Sequence, residues 1–200
     1  MQVELLIVRH GQSEADLLGV HEGRADFPLT KLGEQQARNM AAYVSEHLPP
    51  DIILASPLLR AKSTAETLQK FIDCELLLKD DLMELNNGVL AGLSKEEALV
   101  KYPLPPKGRP IHIPIEQGES ELELRFRAEK VFHKILLDYQ SYNRVAIVSH
   151  GGLISQFIKA FLQQPNTSEN IFATGDTGIH LLEIKENARV VRFLNKQEHL

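Results

Sequence analysis

The alternation of apolar and polar residues along the chain predicts buried strands that end in polar side chains. Residues 5–8 form a short apolar run with two β-branched members, which is typical of a strand buried on both faces. Arg9 and His10 follow this run directly, and His150 comes just after a second run of the same form at residues 145–148. Because the carboxyl ends of parallel strands open into the crevice where ligands bind, we expect the two histidines at one edge of a sheet.

Helices are predicted between these strands by apolar residues at helical spacing. Thr30 is a suitable N-cap for a helix that ends before Pro49. Further helices are predicted at residues 58–71, 94–102, 119–139 and 151–162, and further strands at residues 51–55, 75–78, 179–184 and 189–194. The last two strands form a hairpin through residues 185–188. In the helix at 119–139, the residues expected to face inward are Leu122, Phe126, Val131, Ile135 and Leu136.

Strands that alternate with helices, followed by a closing hairpin, predict an α/β sandwich with a mostly parallel sheet. We find no linker, so we expect residues 1–200 to form a single domain. Two stretches lack periodicity: a polar loop at residues 12–28 and a long loop at residues 80–93. Residues 103–118 hold five prolines among apolar residues, and we expect a lid or cap over about 80–118.

Composition narrows the classes of function. Hydrophobic residues make up 43% of the chain and charged residues 24%, and we see no apolar run long enough to span a membrane. The single cysteine, Cys74, excludes an internal disulfide and fits a reducing compartment, so we expect a cytoplasmic protein. A net charge of −5 argues against nucleic acid as a partner, so any bound anion must meet a local cluster of cations.

Such a cluster is predicted at the sheet edge. Arg60 lies in the first turn of a predicted helix, directly after the strand at residues 51–55, and joins Arg9, His10 and His150. Guanidinium groups suit phosphate because each can donate paired, charge-assisted hydrogen bonds. A neutral imidazole can attack phosphorus, which makes His10 the candidate nucleophile, and His150 could stabilise the transferring group.

The leaving oxygen of a phosphate ester also needs a proton. Glu84, in the long loop, is the candidate proton donor. Glu22 and Gly23, in the loop after the nucleophile, are candidates for bordering the substrate. Gly151, at the start of the helix after His150, is a further candidate for substrate binding.

These residues lie in motifs that resemble those of the histidine phosphatase superfamily, the family of cofactor-dependent phosphoglycerate mutases and related phosphatases. The resemblance spans nearly the whole chain. The matching segments are Arg9-His10-Gly11, Gly23 with Asp26, Pro28-Leu29-Thr30 with Gly33, Ser56 to Ala61 with Thr64-Ala65-Glu66, Glu84 with Gly88 and Gly92, Gly118-Glu119-Ser120, and Ser149 to Gly152.

The resemblance implies a three-layer α/β/α sandwich with a phosphoglycerate mutase-like fold. It implies that His10 is phosphorylated, that Arg9, Arg60 and His150 hold the phosphoryl group, and that Glu84 donates the proton. It also implies chemistry without a metal, and we expect no other cofactor in this protein. We therefore expect a phosphomonoester hydrolase that acts on a small molecule.

Two departures from the family pattern bear on this expectation. Asp16 stands where family members usually carry asparagine, and a carboxylate beside a phosphate is repulsive. The residues that grip a second anionic group in the mutases are also missing after Glu84, which favours a phosphatase. A mutase-type phosphoryl transfer and a non-catalytic, phospho-ligand-binding regulatory protein remain the alternatives.

Overall fold

The computed structural model describes residues 2–186 and 188–200. Six strands and six helices follow one another along this part of the chain. The strands are β1 (Gln2–Arg9), β2 (Ile52–Ala55), β3 (Glu75–Leu78), β4 (Arg144–Ser149), β5 (Ile179–Lys185) and β6 (Ala188–Lys196). The helices are α1 (Glu14–Leu18), α2 (Lys31–His47), α3 (Leu59–Gln69), α4 (Lys95–Lys101), α5 (Glu121–Asp138) and α6 (Gly151–Phe161). Short 3₁₀ turns lie at Asp80–Leu82 and Gly88–Leu90.

The strands form one sheet in the order β3-β2-β4-β1-β5-β6. The first four strands run parallel, and β5 pairs antiparallel with both β1 and β6. The expected α/β fold with a mostly parallel sheet is therefore confirmed as a mixed sheet covered by helices on both sides. The closing hairpin is also present, although Asn187 of its predicted connection lies outside the described residues.

Alternate residues of the buried strands supply two separate cores. Leu5 and Ile7 face the helices α5 and α6, whereas Leu6 and Val8 face α2 and α3. On the first face, Phe132 meets the edges of Phe157 and Phe161 at ring-centroid distances of 5.4 and 6.1 Å. A central parallel strand that is apolar on both faces is the pattern expected for a sheet covered on both sides.

Two local predictions are wrong. The loop predicted at residues 12–28 contains α1, because Ser13 and Asp16 form a capping box that satisfies the first free amides of a short helix. In α5, Phe126 is 54% exposed rather than inward-facing, and Leu124 and Phe132 are buried instead. Val131 and Ile135 are buried as expected, and the buried Arg125 takes an inward position beside the exposed Phe126.

The segment predicted as a lid holds few regular elements beyond α4. Ile115 is buried, whereas Leu104, Ile111 and Ile113 are largely exposed. Close backbone contacts tie its end to the long loop, since a Cβ on Gly118 would lie 2.4 Å from the Asn86 carbonyl oxygen. Closure of this segment over a ligand stays a prediction. Within the described residues, no helix has the length and apolar character needed to cross a membrane.

His180, a buried histidine away from the strand ends that carry His10 and His150, makes stability depend on pH. His180 of β5 accepts a hydrogen bond at Nδ1 from the Asn195 amide (3.1 Å), and its Nε2 lies 2.9 Å from Thr174 Oγ1. Burial lowers the pKa of His180 to about 4. The unfolded chain binds this proton more readily than the folded protein does. The contribution of His180 to the free energy of unfolding is therefore complete above the unfolded pKa and is lost as the pH falls toward the folded pKa.

We expect the free energy of unfolding to fall by roughly 3 kcal/mol between about pH 6.5 and pH 4 through this residue. The measurement is urea unfolding at several pH values. His180→Asn removes the titrating ring and keeps an acceptor, so its stability should fall less steeply over the same range. Parallel curves for the two proteins would contradict the prediction.

Candidate active site

The parallel register of β1 and β4 brings the two predicted histidines together. Arg9 pairs with Ser149 at the ends of these strands, so His10 and His150 leave the sheet side by side. Their ring centroids lie 5.0 Å apart with an interplanar angle of 58°. Both rings are buried. The sequence expectation that these two strands deliver their histidines to one edge is confirmed.

His10 is held in one tautomer by its own neighbour. Its Nδ1 lies 2.7 Å from the Gly11 carbonyl oxygen, which accepts a hydrogen from that nitrogen, so Nε2 carries the lone pair. Arg60 Nε donates to this Nε2 at 3.3 Å. Burial, and then the charges of Arg60 and Arg9, lower the pKa of His10 well below its ordinary value. The ring is therefore neutral at pH 7.

Arg60 lies at the start of α3, and its side chain is fully buried. Its terminal nitrogens donate to the carbonyl oxygens of Ala25 at 3.1 Å and Gly23 at 2.8 Å. Its Nε, besides donating to His10, lies 3.0 Å from Glu22 Oε2. The loop after His10 thus fixes the guanidinium against the imidazole.

His150 follows β4 and contacts the end of β2. Its Nε2 lies 2.8 Å from Ser56 Oγ, which also accepts a hydrogen bond from the Leu58 amide. If the hydroxyl donates to Nε2, a neutral ring carries its hydrogen on Nδ1, and Nδ1 is buried without a partner among the described residues. Burial, and then the charge of Arg60, lower the pKa of His150 well below its ordinary value. His150 is therefore suited to donate a hydrogen bond while uncharged.

Arg9, the residue before His10, is surrounded by acceptors. It donates to the Thr174 carbonyl oxygen at 2.8 Å and lies 3.7 Å from Asp16 and 3.4 Å from Asp176. The carboxylate of Asp16 thus pairs with an arginine and caps a helix, which accounts for its presence near the predicted anion site. Arg9 Nε is buried without a partner among the described residues.

Glu84 reaches the site from the long loop and contacts the N-terminus of α6. Its two carboxylate oxygens accept hydrogen bonds from the amides of Leu85 (2.8 Å), Gly152 (2.9 Å) and Leu153 (3.1 Å). The positive end of a helix dipole stabilises a negatively charged group placed there. The carboxylate is therefore held at the turn that begins beside His150.

The loop that carries Glu84 is fixed by two residues whose roles the sequence reasoning missed. Arg127 of α5 donates to the carbonyl oxygens of Asp81 (3.0 Å), Met83 (2.6 Å) and Glu84 (3.1 Å). The same guanidinium donates to both carboxylate oxygens of Glu119, at 2.9 and 2.7 Å. Glu119 belongs to one of the matched motifs, but its role, which is to bind Arg127, follows only from this tertiary contact.

A cleft of about 910 Å³ adjoins this edge of the sheet. Glu84, the predicted proton donor, lines it together with Glu22, Gly23 and Gly151, and their contact with a substrate stays a prediction. A Cβ on Gly151 would lie 3.9 Å from Arg9 Nε, so this helix start faces the site arginine. Among residues 2–186 and 188–200, no group of three or more histidine, cysteine, aspartate or glutamate side chains has a metal-binding arrangement.

The fold and the site together define a class: an α/β sandwich whose parallel strand ends hold paired imidazole and guanidinium groups. The model of the histidine phosphatase superfamily, branch 1, matches residues 5–197. The chain therefore belongs to this superfamily, and the resemblance stated from its motifs is confirmed.

Individual relatives agree with this assignment. The chain is 31% identical over 190 residues to the probable phosphoglycerate mutase GpmB of Escherichia fergusonii, covering 92% of this chain and 86% of that protein. It is 27% identical over 202 residues to phosphoserine phosphatase 1 of Hydrogenobacter thermophilus, covering 99% and 94%. A solved structure of a putative alpha-ribazole-5'-P phosphatase from Escherichia coli superposes with a TM-score of 0.88 at 23% identity, covering 98% and 97%, and shares the fold. The family and its phosphatase members confirm the expectation of a histidine-type phosphatase.

Gly152 provides a test of how Glu84 is positioned. A Cβ at residue 152 would lie 2.5 Å from Glu84 Oε1, so Gly152→Ala has to displace the carboxylate. Alanine favours a helix over glycine, so we expect an unchanged or higher melting temperature. Activity should fall about 10- to 100-fold, because misplacement by about 1 Å is costly for a reacting group.

The control for this prediction is a double-mutant cycle with Glu84→Gln. If the alanine acts through the carboxylate, the double variant should be no less active than Glu84→Gln alone. Full activity of Gly152→Ala, or strictly additive losses in the cycle, would show that the contact does not matter.

Proposed function

We propose that the protein hydrolyses small phosphomonoesters through a phosphohistidine on His10. The observation that carries this proposal is the arrangement around His10: a neutral, tautomer-fixed imidazole with Arg60 Nε 3.3 Å from its Nε2 and with its ring centroid 5.0 Å from that of His150. A nucleophile beside preorganised donors in a buried site is the arrangement that phosphoryl transfer requires.

In the first step, the lone pair on His10 Nε2 attacks phosphorus and a nitrogen–phosphorus bond forms. The bond from phosphorus to the ester oxygen breaks, and Glu84 gives that oxygen a proton, so an alcohol leaves. Arg60, the free Arg9 Nε and the free His150 Nδ1 donate to the phosphoryl oxygens. Because the last two atoms have no partner among the described residues, a bound oxyanion would satisfy them.

In the second step, water attacks the phosphohistidine. Glu84, now a carboxylate, takes a proton from the water, the nitrogen–phosphorus bond breaks, and its electron pair returns to Nε2. Inorganic phosphate leaves, and the enzyme is restored. Neither step requires a metal, and we propose that the protein acts without a metal or other cofactor.

The phosphatase reading rests on the residues near the proton donor. Leu85 and Asn87 line the cleft after Glu84 and carry no positive charge for a second anionic group. The cations that line the same cleft, Arg125 and Lys159, donate to backbone carbonyl oxygens of the protein. A relative named as a probable phosphoglycerate mutase keeps phosphoryl transfer to another hydroxyl as the competing outcome. Product analysis separates the two, since a phosphatase releases inorganic phosphate and a mutase yields an isomerised phosphate ester.

We further infer a cytoplasmic protein whose partners are small molecules rather than nucleic acid or membrane. The single cysteine and the net charge of −5 support this inference.

The nucleophile is tested by trapping the intermediate. After brief mixing with a phosphomonoester, the wild-type protein should carry phosphate that survives alkali and is lost in acid, as expected for phosphate on an imidazole nitrogen. His10→Ala should carry none and should lose activity at least about 10³-fold, measured as released phosphate. Phosphate that resists acid instead, or a fully active His10→Ala, would assign the nucleophile elsewhere.

The proton donor is tested by changing the leaving group. Glu84→Gln cannot protonate the departing oxygen, so hydrolysis of alkyl phosphates should slow by about 10²- to 10⁴-fold. Hydrolysis of p-nitrophenyl phosphate should slow far less, because nitrophenolate leaves without a proton. Equal losses on both substrates would indicate that Glu84 has a different role.

A further inference from the structure

Glu22 places a carboxylate where a phosphoryl group has to approach His10. Its Oε2 lies 3.8 Å from His10 Nε2 and 3.0 Å from Arg60 Nε. An attacked phosphorus atom must come close to the same nitrogen and meet the same guanidinium. The carboxylate and a bound phosphoryl group therefore compete for one space and one cation, and like charges at that distance repel.

The free protein has a physical reason to keep Glu22 in this place. Arg60 is fully buried, and a buried cation without a counter-ion is strongly destabilising. Glu22, with a side chain only 17% exposed, supplies that counter-ion while no other anion is bound. Binding of substrate thus exchanges one anion for another at Arg60.

The second oxygen of Glu22 indicates how the exchange works. Oε1 is buried without a partner among the described residues, as are Arg9 Nε and His150 Nδ1. The two nitrogens can donate to an oxyanion, but Oε1 can only accept unless it carries a proton. A fully deprotonated phosphoryl group has no hydrogen to offer, so Oε1 stays unsatisfied unless one proton enters with the substrate.

The surroundings of Glu22 make it ready to take that proton. The charged and titratable groups that face it are Arg60 from α3, His10 and Arg9 from the end of β1, and Asp16 from α1. Burial raises the pKa of Glu22 and Asp16 adds to the rise, while Arg60, the nearby Ser13 hydroxyl and Arg9 oppose it without cancelling it. The carboxyl therefore protonates at a higher pH than an exposed glutamate.

We propose that the site accepts the phosphoryl group together with one proton, held between the Glu22 carboxyl and a phosphoryl oxygen. This inference rests on the proposed phosphatase function and names the charge state of the substrate group that the site selects. When the proton is absent, the carboxylate stays on Arg60 and excludes the anion. Glu22 is then a specificity-determining residue that couples anion binding to pH.

Sulfate binding tests this coupling without turnover. Sulfate keeps both negative charges between about pH 5 and 8, so any pH dependence of its binding belongs to the protein. Calorimetry would compare the wild-type protein, Glu22→Gln and Glu22→Asp across this range. All three proteins keep His10 and His150, so the ratio of dissociation constants removes the pH dependence that these residues contribute in common, and what remains belongs to the charge at residue 22.

At about pH 8 we expect Glu22→Gln to bind sulfate at least about tenfold more tightly than the wild-type protein, because it lacks the competing charge. The ratio should fall toward 1 as the pH is lowered and the wild-type carboxyl gains its proton. Glu22→Asp keeps a carboxylate and should follow the pH dependence of the wild type.

Equal affinities at about pH 8, a ratio that does not change with pH, or no sulfate binding by any of the three proteins would overturn the proposal. Phosphate release by the wild-type protein and by His10→Ala, measured in parallel, tells the two failures apart. His10-dependent hydrolysis with a pH-independent sulfate ratio would remove the role of Glu22 alone. Loss of His10-dependent hydrolysis would remove the proposed function.

Discussion

The parallel pairing of β1 with β4 is the constraint on which the site depends. Opposite Arg9 stands Ser149, and one residue beyond each of them the two imidazoles meet with their centroids 5.0 Å apart. Side chains alternate between the faces of a strand, so a slip of one residue would turn the apolar residues of β1 into the wrong cores and His10 away from His150. The same apolar pattern that buries the sheet therefore fixes the distance between the two imidazoles.

Burial at this edge also sets the charge balance. Arg60 has no solvent exposure, so its charge must be met within the protein, and it is met by Glu22 and the carbonyl oxygens of Gly23 and Ala25. The same burial keeps His10 neutral, because desolvation and neighbouring cations both oppose its protonation. Burial thus yields both a neutral imidazole at His10 and a cation at Arg60 that needs an anion.

Glu84 comes from a loop, and its position depends on support from elsewhere. Arg127 binds three carbonyl oxygens of the segment around Glu84. Gly88 allows the loop to pack against the chain near residue 117, since its φ is +46° and a Cβ there would lie 2.0 Å from the Glu116 carbonyl oxygen. Arg127 of α5 and the close backbone contact at Gly88 therefore hold the loop in place, as the strands of the sheet hold the two histidines.

The sequence by itself determined the order of the elements, the strand ends that carry His10 and His150, and the motifs of the family. Apolar runs and capping residues act locally, so the bounds of α2 with its Thr30 cap and of β3 could be read directly. The Ser13 capping box was equally local and was overlooked. Phe126 was misplaced because a buried Arg125 breaks the apolar periodicity of its helix.

Only the tertiary structure decided that Glu22 pairs with Arg60, that Ser56 meets His150, and that Arg127 holds the Glu84 loop. These contacts join residues far apart in the chain, and each is specified by packing and buried charge, which a pattern along one segment does not contain.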